Sequence, residues 1–188
     1  MPVANVALKC FNCSITKAIA MQHSPITPTR SVALWSIWQL ILSQDDALKS
    51  DCTQVAASSL VGFKLGNDLA YKILKVGITS KALDPVGDFL GLSKSLIANY
   101  LDLDRGTVSR LAAKDQLLPT HAAENVLRLL ELDAIAAETF ATEAEASVWL
   151  RRPHPMLDGE TPLAAAKTSF GSQRVKDILL AIKYGGVV

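Results

Sequence analysis

From Ser31 onward, apolar residues recur at intervals of three and four, the repeat that sets one stripe of a helix against a core. Trp35, Trp38 and Leu42 form the first such stripe, inside the run ALWSIWQLIL. Asp51 is placed to cap a helix over CTQVAASSLVGF, and Leu69, Ile73 and Leu74 continue an apolar face that Gly77 stops. Thr79 or Ser80 caps the next helix, which reaches Phe89 and Leu90 and ends at Gly91. Ser93 then opens SKSLIANYL. Asp102-Leu103-Asp104-Arg105 predicts a tight turn, with Asp104 as N-cap of RGTVSRLAAKDQ. After LLP a long amphipathic helix starts at Thr120, with Val126, Leu127, Leu130, Ala134 and Ala137 on one face. Twenty residues of it would span roughly 30 Å. No stretch alternates with a period of two, so the expected fold class is all-α, a helical bundle.

The C-terminal third interrupts this rhythm. RRPHPMLDGETPLAAAKTSFG stands between two helical runs, EAEASVWL and SQRVKDILLAIKYG. Pro153 and Pro155 remove donors and disfavour helix in the residues before them, so the Trp149 helix must end there. Gly159 frees a turn, Thr161-Pro162 starts a new helix with Pro at its first position, and Phe170-Gly171 reads as another break. The expected outcome is a short helix clamped between longer ones, which aims the Val175 helix outward. Leu179, Leu180 and Ile182 would divide between core and partner surface. Tyr184-Gly185-Gly186-Val187-Val188 would make a narrow, loosened end.

At 188 residues and 20.2 kDa the chain holds one domain or two small ones, and 49% hydrophobic residues are enough for a packed core. The formal net charge of +1 leaves any nucleic-acid binding to a local basic face. Of the three cysteines, Cys10 and Cys13 form a C-x-x-C. A zinc site would need further ligands, but His23, His121 and His154 are scattered, and a redox pair would want a βαβ context. The spacing reads as chance, and neither metal nor cofactor is expected. The first acidic residue is Asp45, so residues 1–30 imitate a leader; they read as a tail, with Met21 as an alternative start. The apolar run before Asp45 falls short of the roughly 20 residues a membrane span needs, and the odd cysteine count with no plausible disulfide framework suits a reducing cytoplasm.

Two short helices and a tight turn are what a DNA-reading helix-turn-helix requires. Ala98, Leu103, Val108 and Leu111 fit its buried positions, while Asp102 stands where the motif prefers Gly, a residue type that tolerates left-handed backbone. In that reading the second helix lies in the major groove, exposing Arg105, Thr107, Ser109 and Arg110 to bases and Lys114 to phosphate. Asp102, Asp104 and Asp115 dilute the basic residues, so a dimer is needed and binding should be strongly salt-dependent. The alternative is a helix pair that only packs.

SKSLIANYLDLDRGTVSRLAAKDQLLPTHAAENVLRLLEL, followed by VWLRRPHPMLDGETPLAAAKTSFGSQRVKDILLAIKYG, resembles the Xre/MbcA/ParS family of bacterial antitoxins. The resemblance runs from about Phe63 to Val188. Its most specific part is Trp149, Pro153, Leu157, Gly159, Pro162, Leu163, Gly171, Val175, Tyr184 and Gly185. The expected division is then the tail over 1–30, a helical region over 31–119 with a Xre-like helix-turn-helix at about 79–115, and a small helical toxin-binding domain over 120–188; the resemblance implies the last two from Phe63 onward, and the residues before it lie outside the resemblance. It also implies a partner of the RES type, a toxin that destroys NAD. The antitoxin would block nucleotide access to the toxin's pocket, and the complex, built on a homodimer, would bind operator DNA and repress its own promoter. Related domains partner toxins that ADP-ribosylate a metabolic enzyme.

On that basis the terminal residues Tyr184, Gly185, Gly186, Val187 and Val188, with Arg174 and Lys183 nearby, would plug the toxin's entrance; the plain alternative is a frayed end. Lys167, Arg174 and Lys176 also fit a solvated helix face. The dimer surface would be the Trp35/Trp38 helix or the Val126 helix. A stand-alone helix-turn-helix repressor is the second reading. An enzyme is the third, resting on His154 and Asp158-Gly159-Glu160, but no nucleophile is paired to His and no catalytic residue is assigned.

Overall fold

The computed structural model describes residues 28–42 and 65–186. Helices fill most of both segments: α1 (Pro28–Leu42), α2 (Asn67–Val76), α3 (Leu83–Leu90), α4 (Lys94–Tyr100), α5 (Arg105–Lys114), α6 (Thr120–Thr139), α7 (Glu143–Arg151), α8 (Pro162–Ala165) and α9 (Ser169–Tyr184). Two 3-10 turns, Ser80–Ala82 and Pro155–Leu157, complete the order. The all-α expectation holds. Extended pairing among the described residues is limited to one antiparallel bridge between Thr79 and Leu117. The helix expected over CTQVAASSLVGF and the Cys10/Cys13 pair lie outside the described residues.

The helix expected from Thr79 or Ser80 is broken in two, a 3-10 turn and then α3. Pro85 is the physical reason. It has no N–H and its ring crowds the carbonyl four residues back, so it is tolerated only in a first turn. Starting α3 at Leu83 puts Pro85 there. Neither expected cap acts as one: Thr79 makes no side-chain cap bond, and Ser80 Oγ donates to the Leu111 carbonyl at 2.9 Å.

The bridge around Thr79 closes the middle of the chain on itself. Ser80 N–H donates to Gln116 O at 2.9 Å, and Leu118 N–H to Ile78 O at 2.8 Å. Helix α1 lies across α3 and the 3-10 turn, burying Ile37, Trp38, Ile41 and Leu42.

Helix α6 is the spine, packed by α2, α7 and α9. It is buried more widely than a single stripe, because Asn125, Leu129, Leu132, Asp133 and Ala136 are covered as well as Val126, Leu127 and Leu130. Ala134 and Ala137 are only half-buried. Trp38 is 1% exposed and Val126 0%, so both side chains lie in this chain's own core. No helix among the described residues is long and apolar enough to cross a membrane.

Candidate functional site

Helices α4 and α5 are joined by Leu101–Asp104, and each starts on a side-chain cap. Ser93 Oγ accepts from Leu96 N–H at 3.4 Å. The Asp104 carboxylate accepts from Gly106 N–H at 3.0 Å, Thr107 N–H at 3.1 Å and the Thr107 hydroxyl at 2.8 Å. These donors hold its pKa below the ordinary 3.8, the Gly106 amide most, then the Thr107 hydroxyl and amide, with Arg110 adding a smaller pull. Asp102 takes the left-handed conformation, φ 54°, and Leu103 N–H closes the turn on the Ala98 carbonyl at 2.9 Å. Ala98 and Leu111 are buried; Leu103 and Val108 are half-buried against the core.

On α5, Arg105, Ser109, Arg110 and Lys114 are exposed. Thr107 is half-buried, and its hydroxyl is committed to the Asp104 cap while accepting from Arg110 Nη2 at 3.4 Å. Four of the five sequence-selected side chains are therefore exposed on one short helix, Arg110 with a bond to Thr107, and the fifth braces its start.

The proline-rich corner is built from caps. Helix α7 opens with a reciprocal box: Glu145 N–H donates to Thr142 Oγ1 at 3.2 Å, and Thr142 N–H to Glu145 Oε2 at 3.3 Å. Trp149 then sits between two rings, with centroids 5.7 Å from Phe140 and 5.7 Å from His154. The His154 carbonyl accepts from Leu157 N–H at 3.0 Å and Gly159 N–H at 3.2 Å, and its own N–H donates to Glu160 O at 2.9 Å. Its Nδ1 accepts from Met156 N–H at 3.3 Å. His154 and Glu160, two of the residues a catalytic reading would use, are thus tied into the turn through their backbones, and Asp158 takes a left-handed position in it, φ 55°.

Thr161 Oγ1 caps α8, accepting from Ala164 N–H at 3.2 Å, and Pro162 is its first residue. The second break falls at Ala166–Thr168 and not at Phe170-Gly171 as expected. Thr168 Oγ1 accepts from Gly171 N–H at 3.0 Å, so Gly171 lies inside the first turn of α9. The glycine is there for space: a Cβ would stand 1.9 Å from the Ala165 carbonyl oxygen.

Sequence reasoning missed the polar tie between the two regions. On the spine, Asn125 Nδ2 donates to the Tyr100 carbonyl at the end of α4, 3.2 Å away. One turn on, Arg128 Nη1 donates to Asn125 Oδ1 at 2.6 Å and to the Lys167 carbonyl at 3.1 Å, just past α8. Lys167 Nζ reaches back to Asn99 Oδ1 at 3.0 Å and lies 5.7 Å from the Tyr100 ring centroid. An Asn and an Arg three apart on an otherwise apolar face were the available signal.

Helix α9 is pinned to α6 by Lys176–Glu131 at 2.8 Å and Lys183–Glu138 at 3.1 Å. Lys167, Lys176 and Lys183 are therefore ties between elements, whereas Arg174 is exposed and makes no bond among the described residues. Leu179 is buried while Leu180 and Ile182 face solvent, the division expected. Tyr184 is exposed, and Gly185, at φ 68°, ends the helix. Gly186 follows it, exposed, and Val187 and Val188 lie outside the described residues.

Residues 136–185, from the end of α6 through α9, match the family described as "Antitoxin Xre/MbcA/ParS C-terminal toxin-binding domain". A protein from Sphingobium sp. (strain YBL2) named "Prs ADP-ribosylating antitoxin" is 30% identical over 122 residues, covering 60% of this chain and 77% of the relative. "Antitoxin Xre" of Pseudomonas putida is 28% identical over 79 residues, 42% of this chain and half (50%) of that protein.

Proposed function

This chain belongs to the Xre/MbcA/ParS-type antitoxins, and we propose that it neutralises a RES-type, NAD-degrading toxin by blocking the toxin's active site. As an antitoxin it is a protein inhibitor and not an enzyme, and a toxin is its partner. The observation that carries the finer reading is where the family match falls: 136–185 spans the capped corner and the helix that ends in exposed Tyr184. Exposed Tyr184 and Gly185 close a helix that two ion pairs tie to α6, and the residues from Tyr184 to Val188 are the segment proposed to enter the toxin. Such a terminus enters a cleft at little entropic cost, because the element that carries it is already ordered.

The second half of the proposal is autoregulation. Arg105, Ser109, Arg110 and Lys114 stand exposed on α5, as base and phosphate contacts in a major groove require, and a homodimer supplies paired half-sites. The name of the Sphingobium relative favours one variant of the partner, a toxin that ADP-ribosylates Prs. Both partners would consume NAD.

Expression of the genomic neighbour with and without this chain tests the reading. The expected result is growth arrest with falling cellular NAD, relieved by the full chain and not by a chain lacking Tyr184 to Val188. An ADP-ribosyl adduct on a host protein would select the second partner, and a neighbour that stays toxic beside the full chain would end the proposal. Full rescue by the truncated chain would remove the plug alone. For the DNA arm, Arg105→Ala and Arg110→Ala should weaken binding to the upstream fragment and lower the salt slope by about 1 each where phosphate is the contact.

A further inference from the structure

Helix α9 carries two faces with different fates. Ser172, Val175 and Leu179 are buried. On the opposite side Phe170, Gln173, Asp177, Leu180 and Tyr184 recur in steps of three and four, and all are exposed. Phe170 is 89% exposed, Leu180 47% and Tyr184 76%. A single surface leucine needs no explanation. A row spaced by the heptad rule is different, because that spacing is how one helix seats in a neighbouring groove. The row cannot turn inward without exposing Val175, Ile178 and Leu179 of the opposite face, and the Lys176–Glu131 and Lys183–Glu138 pairs agree with that orientation.

The exposed apolar side chains are also concentrated. Tyr71, Leu96 and Leu117 lie outside the family match, while Val148, Phe170, Leu180, Ile182 and Tyr184 lie within it. Among the described residues, five of these eight large exposed apolar side chains thus fall in the matched segment.

We propose that the outer ridge of α9, from Phe170 to Tyr184, is the surface on which the toxin docks, distinct from plugging by the residues after it, with Tyr184 the one residue the two share. This rests on the reading of the chain as an antitoxin with a toxin partner. The ridge defines the chemistry of its receptor. From Phe170 to Tyr184 it is about 20 Å long at the helical rise. The receptor groove is apolar at both ends, for Phe170 and for Leu180 with Tyr184. It is polar in the middle, where Gln173 Nε2 donates to Asp177 Oδ1 at 2.9 Å and Arg174 offers an unused cation. Division of labour follows: the ridge supplies affinity and the tail supplies inhibition.

The test uses the full chain with its co-expressed toxin. Phe170→Glu and Leu180→Glu are made singly and together, with Phe170→Ser and Leu180→Gln as milder versions should a carboxylate disturb folding. Tyr71→Glu and Leu96→Glu are the controls, equally exposed but off the ridge. Circular dichroism checks folding, light scattering the chain's own mass, and titration calorimetry the affinity. Each ridge variant should weaken toxin binding about tenfold or more, as truncation of a buried anchor does, and the pair should weaken it further. The controls should bind as the unmodified chain does, and removal of Gly185 to Val188 should spare binding while losing inhibition. Ridge variants that bind the toxin normally overturn the proposal. So do variants that change only the chain's own oligomeric mass, which would make the ridge a self-contact. Failure of the unmodified chain to bind any toxin would instead remove the antitoxin reading beneath it.

Discussion

The backbone of Gly171 runs so close to Ala165 that a Cβ on it would sit 1.9 Å from the Ala165 carbonyl oxygen and 2.8 Å from the carbonyl carbon. The obstacle is backbone, which cannot rotate aside as a side chain would. This contact sets how tightly α8 folds back on the first turn of α9, and so the direction in which α9 leaves the corner.

Gly171→Ala should therefore cost more than about 2 kcal/mol, in the range of overpacked sites. Gly159→Ala is the comparison. It meets open space and is strained only by its φ of 82°, so it should cost about 1–2 kcal/mol. Urea denaturation of both variants checks the order, and equal losses would refute the steric account.

The cap on α5 makes a pH prediction. Asp104 has a folded pKa lowered below 3.8, chiefly by the Gly106 amide and the Thr107 hydroxyl. A lowered carboxylate stabilises the folded state above its unfolded pKa and loses that contribution as pH falls through the folded value. Asp104→Asn keeps an accepting oxygen but cannot titrate. The advantage of the original chain over this variant should be constant near neutrality and vanish as pH drops below the usual carboxylate range, read by thermal melts across pH 2–7 (an interval of about five units).

The Asn125–Arg128 pair should behave as a unit. Asn125→Ala leaves the Tyr100 carbonyl without its donor and Arg128 without its nearest acceptor, at a cost of about 1–3 kcal/mol. With Arg128→Met, the double-mutant cycle should show a coupling of at least about 0.5 kcal/mol. Simple additivity would mean that the tie between α4 and the corner is not energetically joined.

Ser172 offers a gain. Its hydroxyl is buried and has no hydrogen-bond partner among the described residues. Ser172→Ala removes an unsatisfied polar atom and improves helix propensity, so it should raise stability by about 1 kcal/mol. A loss would indicate that the hydroxyl does find a partner.

What the sequence determined by itself is local. Asp104 as a cap, Asp102 in the left-handed region, Gly77 and Gly91 as stops and Pro162 at a first helical position follow from single-residue backbone preferences, which act over one turn of chain. Apolar periodicity made part of the α6 stripe visible, Val126, Leu127 and Leu130, and showed that Leu179, Leu180 and Ile182 would divide but not which of them would be buried. What only the tertiary structure decided are the contacts between residues far apart in the chain. The nearness of Gly171 to Ala165 turned an expected break into a close approach. The reach of Arg128 to Lys167 and of Lys167 to Asn99 joined two regions that looked separate. Trp38 of α1 and Val126 of α6, far apart in the chain, are buried in one core. Periodicity shows that a helix has an apolar face, but its partner is set by how neighbouring elements close around it. That closure is a property of the whole packing and is not written in any one segment.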